Sequence, residues 1–141
     1  MNILILQGPN LNLLGLKSAQ IKDRLTLDKL NKKIKAEIKL QEIQLKVLQT
    51  HKTFQAINFL QRNRNKASGL LFIPTSWART NYTILETINL IEIRTSVVYF
   101  EEPYNFGTNE DESIIQGENI KSFTGQPVSS CVEGIKRFLN K

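Results

Sequence analysis

The stretch NILILQGPNLNLLG, residues 2–15, governs how the rest of the chain is read. NILIL is a short apolar run of the kind that fills a strand buried on both faces, and Gly8-Pro9 ends it, because proline cannot donate to a sheet ladder. Two asparagines, Asn10 and Asn12, then interrupt a leucine-rich loop. Open α/β sheets place their ligands at polar loops that leave the carboxyl ends of buried strands, so residues 8–15 mark a site as well as a turn.

Strand and helix patterns alternate from there onward. Thr26 is placed to cap a helix with Asp28 in its first turn, and Leu27, Leu30, Ile34 and Ile38 line one face while Lys29, Lys32, Lys33 and Lys35 take the other. Ile43, Leu45 and Val47 alternate as a second strand, and Phe54, Ile57 and Leu60 mark a second helix. GLLFI, 69–73, is a third buried strand, Ile84, Leu85, Ile88 and Ile91 give a third helix, and SVVYF, 96–100, a fourth strand. An acidic, irregular stretch runs from Glu101 to Glu118. After it come a short fifth strand at Asn119–Phe123 and a closing helix carrying Cys131, Val132, Ile135, Phe138 and Leu139.

Five strands interleaved with four helices imply parallel pairing through right-handed crossovers. The expected class is α/β: a three-layer, doubly wound, five-stranded parallel sheet in the flavodoxin-like order 2-1-3-4-5, forming one domain over residues 1–141. The cleft is expected at the carboxyl ends of strands 1, 3 and 4, where the loops 7–25, 74–82 and 101–112 converge.

Composition agrees with one globular domain: 141 residues, 40% hydrophobic and 23% charged. No stretch approaches the roughly 18 consecutive apolar residues of a membrane span, and the start lacks the basic region and cleavage pattern of a signal peptide. A soluble cytoplasmic protein without membrane partners is expected. One cysteine, Cys131, excludes an intrachain disulfide, and with one histidine, His51, no Cys/His metal set can be assembled, so neither metal nor cofactor is expected. Cys131 is read as a small buried hydrophobe and His51 as a hydrogen-bonded surface or interface histidine at the carboxyl end of strand 2, away from the switch point. The net charge of +6 is uneven, since residues 17–66 hold 13 Lys/Arg against 4 Asp/Glu while residues 67–141 hold 6 against 9. Without interleaved aromatics this basic half is read as solvated helix faces, and nucleic acid is not the expected partner.

The usual occupants of such a sheet are excluded by their missing residues. GPNLNLLGLKSAQ lacks the hydroxyl- and glycine-rich loop that holds a flavin phosphate. Gln7 and either Ile73 or Pro74 stand where a phosphoryl-accepting receiver needs carboxylates, and no Gly-x-Gly-x-x-Gly follows a strand.

ILILQGPNLNLLG resembles instead the amino-terminal signature of the type II 3-dehydroquinate dehydratases. Thr26-Leu27, Gln49-Thr50, Pro74, Thr80, Val97-Val98, Phe123 and Gln126 extend the resemblance along the chain in weaker form. It implies a flavodoxin-like fold, a shikimate-pathway lyase that eliminates water from 3-dehydroquinate through an enolate, and assembly into trimers or dodecamers. In the family a loop tyrosine beside an arginine removes the C2 proton. The signature asparagine holds a water against the enolate, and a histidine after strand 4 protonates the departing hydroxyl. Acid and base must sit on opposite faces of the ring, and the enolate needs preorganised donors.

Carried over by resemblance, the signature asparagine falls on Asn10, the loop arginine on Lys17 and the base tyrosine on Lys22. The asparagine after strand 3 falls on Ile73, a nearby substrate-side histidine on Arg79, and the general acid on Glu101, with Tyr99 at the glutamate that precedes it. The backbone clamp falls on Glu102 and Pro103, and Glu86 is a further substrate-side position. Lysine keeps the arginine's charge but loses its planar fork, isoleucine cannot hydrogen-bond, and proline has no N–H to give. Catalytic roles thus fall to Asn10, Lys17, Lys22 and Glu101, and substrate contacts to Ile73, Arg79, Glu86, Glu102 and Pro103.

Three functions follow as expectations. The first is a dehydratase homologue that is weakly active or inactive, retained for binding a small anion or a second copy of itself. The second is a true dehydratase with Lys22 as base and an apolar wall around Glu101 as acid. The third is a non-catalytic anion- or partner-binding module working through the basic first half. Trp77 is read as a wall of the cleft or a subunit contact. Glu110, Asp111 and Glu112 are read as a solvated loop, since three consecutive carboxylates cannot all face one ion.

Overall fold

β1 (Asn2–Gln7) lies inside a five-stranded parallel sheet with β2 (Gln44–Gln49), β3 (Gly69–Ile73), β4 (Thr95–Phe100) and β5 (Ile120–Gly125) in the order β2-β1-β3-β4-β5. This is the expected topology. The structure is a computed structural model that describes residues 1–139, so the last two positions of the domain expected over 1–141 lie outside the described residues. From β1 the chain first steps outward to β2 and then returns across β1 to β3. The topological switch point therefore falls between β1 and β3, where Gln7 is level with both Gln49 and Ile73.

Among the described residues, five helices connect the strands, α1 (Leu14–Lys17), α2 (Leu27–Glu37), α3 (Thr53–Asn63), α4 (Trp77–Thr80) and α5 (Tyr82–Ile91), and a sixth, α6 (Pro127–Lys136), follows β5. The strands' alternation sorts their side chains into two layers. Ile3, Ile5, Leu71, Ile73, Val98 and Phe100 pack with α2 and α6, while Leu4, Leu6, Leu70, Phe72, Val97 and Tyr99 pack with α3 and α5. The central strands β3 and β4 are buried at every position, as strands covered on both faces must be. β2 and β5 stand at the edges and are only partly covered.

The helix boundaries follow local chemistry. Thr26 Oγ1 accepts the Lys29 N–H at 3.2 Å, satisfying one of the orphan donors of the first turn of α2. Leu30 and Ile34 face the sheet, and the lysines face water. The closing helix is shorter than its apolar spacing predicts. α6 ends at Lys136, and Phe138 and Leu139 belong to a single 3-10 turn, Arg137–Leu139. The tighter turn lays the Phe138 ring against Gly69, where a Cβ would stand 2.7 Å from ring carbons. Cys131 is fully buried, and burial pushes its thiol pKa up, as a packing residue and not a nucleophile.

Candidate active site

Four hydrogen bonds lash the ends of three strands together around the 8–15 turn. Gly8 N–H donates to the Ile73 carbonyl at 2.8 Å, Gln49 Nε2 to the Gly8 carbonyl at 3.1 Å, Thr75 Oγ1 to the Pro9 carbonyl at 2.7 Å, and Asn10 N–H to His51 Nδ1 at 3.1 Å. Asn10 itself has φ 66°, a left-handed conformation that asparagine adopts more readily than most residues. One reading changes here. His51 does not stand apart from the switch point, because its imidazole holds the backbone of Asn10. The 41-residue separation hides that contact from any local pattern.

The crevice itself is filled. Ile73 is 2% exposed at the carboxyl end of β3, and the gap beside it, lined by Ile73, Thr75, Val98, Tyr99, Phe100, Phe106 and Thr108, measures about 10 Å³. One water needs about 10–15 Å³ and ordinary ligand pockets hold about 300–1,000 Å³. Phe106 lines the gap, and Tyr104 belongs to the same apolar cluster as Ile73. Both come from the loop after β4, which folds back over the α2/α6 layer; Tyr104 is 8% exposed and its hydroxyl donates to the Asp23 carbonyl at 2.6 Å. Loop 101–112 and loop 7–25 are thus fastened to each other across the cleft. Among the described residues, two side-chain polar atoms are left buried without a hydrogen-bond partner, Oε1 of Gln7 and Oγ1 of Thr108; the Gln7 Nε2 donates to Asn31 Oδ1 at 2.8 Å. Tyr104, Phe106 and Thr108 are not singled out by sequence, and Gln7 is read there only as a missing carboxylate. Only the burial of a glutamine at the end of an apolar strand was a signal that could have found one of them.

The residues carried over by resemblance are spread around this filled crevice. Asn10 is exposed on the turn after β1, held by His51, and Ile73 lines the crevice. Glu101, one residue past β4, is exposed, with its N–H donated to the Gly125 carbonyl at 2.9 Å; Glu102 and Pro103 are exposed beside it. Lys17 is exposed at the end of α1. Lys22 is exposed on the rim of an open groove between α2 and α6. Arg79 lies on α4, whose Trp77 and Ala78 pack into the opposite, α3/α5 layer, and its guanidinium stands 3.7 Å from the Glu112 carboxylate. Glu86 is exposed on α5. Trp77, expected to wall the cleft or meet a second subunit, is 8% exposed and packs into the core. Glu110–Glu112 form one 3-10 turn, capped by Asn109 Oδ1, which accepts the Glu112 N–H at 3.0 Å.

Tyr99 lies beside the crevice with its ring in the α3/α5 layer. Its hydroxyl donates to Ser113 Oγ, which also accepts the Ile115 N–H at 3.0 Å. Burial holds the phenol pKa above its ordinary value, the Ser113 bond opposing and the charge of Glu110 adding. The neutral form is therefore favoured by folding. Below about pH 10 the phenol is neutral in both states and its contribution is complete; above that the unfolded chain ionises first and stability is lost. Tyr99→Phe is expected to cost about 1 kcal/mol at pH 8 from the lost hydrogen bond. Urea melts should show that difference shrinking by pH 10.5, and a constant difference would contradict the assignment.

Comparison with known proteins agrees with this fold. The family described as Dehydroquinase class II matches residues 1–139. A 3-dehydroquinate dehydratase from Trichodesmium erythraeum is 28% identical over 139 residues, covering 99% of this chain and 93% of the relative. A second, from Clostridium botulinum strain Hall, is 29% identical over 108 residues, 73% of this chain and 74% of the relative. Among solved structures, a type II dehydroquinase from Butyrivibrio crossotus superposes with a TM-score of 0.84 at 20% identity, over 99% of this chain and 98% of that one. A 3-dehydroquinate dehydratase-like protein from Bifidobacterium longum superposes with a TM-score of 0.67 at 12% identity, over 100% of this chain and 99% of that one. With its parallel sheet, its Gly-Pro-Asn turn at the switch point and a family match from the first residue to the last described one, the chain belongs to the class II dehydroquinase family.

Proposed function

We propose that this protein is a class II dehydroquinase homologue in which dehydration of 3-dehydroquinate to 3-dehydroshikimate is lost or reduced to a trace. The gap of about 10 Å³ beside Ile73, in place of a pocket at the switch point, is the observation that carries this reading. The side chains at the carried-over positions support it. A lysine becomes a base at neutral pH through desolvation, and Lys22 is exposed. A carboxyl becomes a general acid through an apolar wall, and Glu101 is exposed as well. Ile73 offers no hydrogen bond to a polar substrate, and Pro103 offers no backbone donor where the clamp would form. The retained role is binding of a small anion or of further copies of the chain in a cytoplasmic homo-oligomer. Phe54 at 61% exposure, Tyr82 at 65% and Leu90 at 76%, apolar side chains left uncovered on α3 and α5, support self-association.

The test is direct. Purified protein is mixed with 3-dehydroquinate and the enone absorbance of the product is followed at micromolar enzyme. No rise above the uncatalysed rate is expected. Rapid turnover that disappears in a Lys22→Met variant would overturn the proposal and establish the replaced acid–base pair instead.

A further inference from the structure

A groove of about 1060 Å³ runs between α2 and α6, on the outer side of the Tyr104–Asp23 contact that seals the crevice. We propose that this groove binds a short acidic segment of a partner protein, with apolar side chains set between its carboxylates. Its charge is the first argument. Lys22, Arg24, Lys29, Lys32 and Lys33 line it from the loop before α2 and from the first turns of that helix, and all five are exposed. Asp23 lies among them, while Glu37 and Glu133 stand farther along the two helices, so positive potential collects toward the amino-terminal end of α2, where the helix dipole adds to it. The Lys32–Asp28 pair, at 3.0 Å with both side chains 75% exposed, is a surface contact that an incoming carboxylate can exchange.

The floor is the second argument. Leu25, Tyr104, Val128 and Val132 present apolar surface between the charged walls, which a purely ionic ligand would leave unused. Length is the third. The 11 residues of α2 span about 16 Å, the reach of about five extended residues. A small metabolite would lie half in water in so open a trough, whereas small-molecule pockets enclose about 70–90% of their ligands. A nucleic-acid strand is the poorer occupant, because Asp23, Glu37 and Glu133 interrupt its phosphate track and the aromatic Tyr104 is 8% exposed with its hydroxyl committed to Asp23. This inference does not draw on the proposed loss of turnover, and the enone assay and the assay below can fail separately.

Phage-displayed random dodecapeptides panned against the full-length protein test it, with the enriched consensus remade as a fluorescein-labelled peptide for anisotropy. The expected consensus carries three or more Asp or Glu interleaved with apolar residues. Its affinity should fall tenfold or more in the Lys29→Glu/Lys33→Glu variant, which leaves the melting curve in place because both side chains are exposed, and should be unchanged by Tyr82→Ser on the far face. Failure to enrich, a consensus without acidic residues, affinity unmoved by the double variant, or tighter binding of a 20-nucleotide single strand with the same lysine dependence would each overturn the proposal.

Discussion

Gly8→Ala should destabilise the protein by about 3 kcal/mol, the upper end of what overpacking usually costs, and lower its melting temperature by roughly 10 °C. A Cβ built on Gly8 would stand 2.3 Å from the Pro74 carbonyl oxygen and 2.8 Å from its carbon. Those are backbone atoms, with no flexible side chain to swing aside. The strands must part instead, which lengthens the 2.8 Å bond from Gly8 N–H to the Ile73 carbonyl and disturbs the Gln49 contact to the Gly8 carbonyl. Gly125→Ala is the control, because its Cβ would meet nothing nearer than Ser130 Cβ at 3.5 Å. Urea melts of the two variants side by side decide the matter. A Gly8→Ala loss below about 1 kcal/mol would mean that the turn is not held against β3 as described.

That turn explains why so much of the fold could be read from residues alone. The unbroken apolar runs NILIL, GLLFI and SVVYF are required because each strand is covered by helices on both sides, and Thr26 writes the start of α2 in one side chain. The parallel order follows from the crossovers. The state of the crevice does not follow. Whether it is open depends on Phe106 and Tyr104, which lie in an irregular loop whose path is set by contacts to Asp23, 81 residues earlier, and to the layer beneath. No periodicity reports such a contact. The same holds for His51, whose bond to Asn10 joins the ends of two strands, and for Trp77, whose burial comes from the α3/α5 layer and not from its own segment PTSWART. Substitution at Ile73 was visible in sequence; the filling of the space above it was not.

Tyr104 therefore deserves separate dissection as plug and as tether. Tyr104→Ala should cost about 4 kcal/mol, the range for removing a buried aromatic ring and leaving its cavity, while Tyr104→Phe should cost only about 1 kcal/mol for the lost bond to the Asp23 carbonyl. The ring packs among the buried residues of the α2/α6 layer, and the hydroxyl reaches outward to loop 7–25. Hydrogen exchange separates the two roles. The phenylalanine variant should free the backbone of residues 19–24 and little else, because Ser18 Oγ still accepts the Leu25 N–H at 2.9 Å and keeps its one hydroxyl hydrogen between the Leu14 and Leu25 carbonyls, closing the loop at its base. The alanine variant should free that segment and also residues 101–109, where Phe106 loses the neighbour that holds the chain down. Equal losses in the two variants would make the hydroxyl the dominant contribution, and the crevice would then be closed by one hydrogen bond instead of by packed rings.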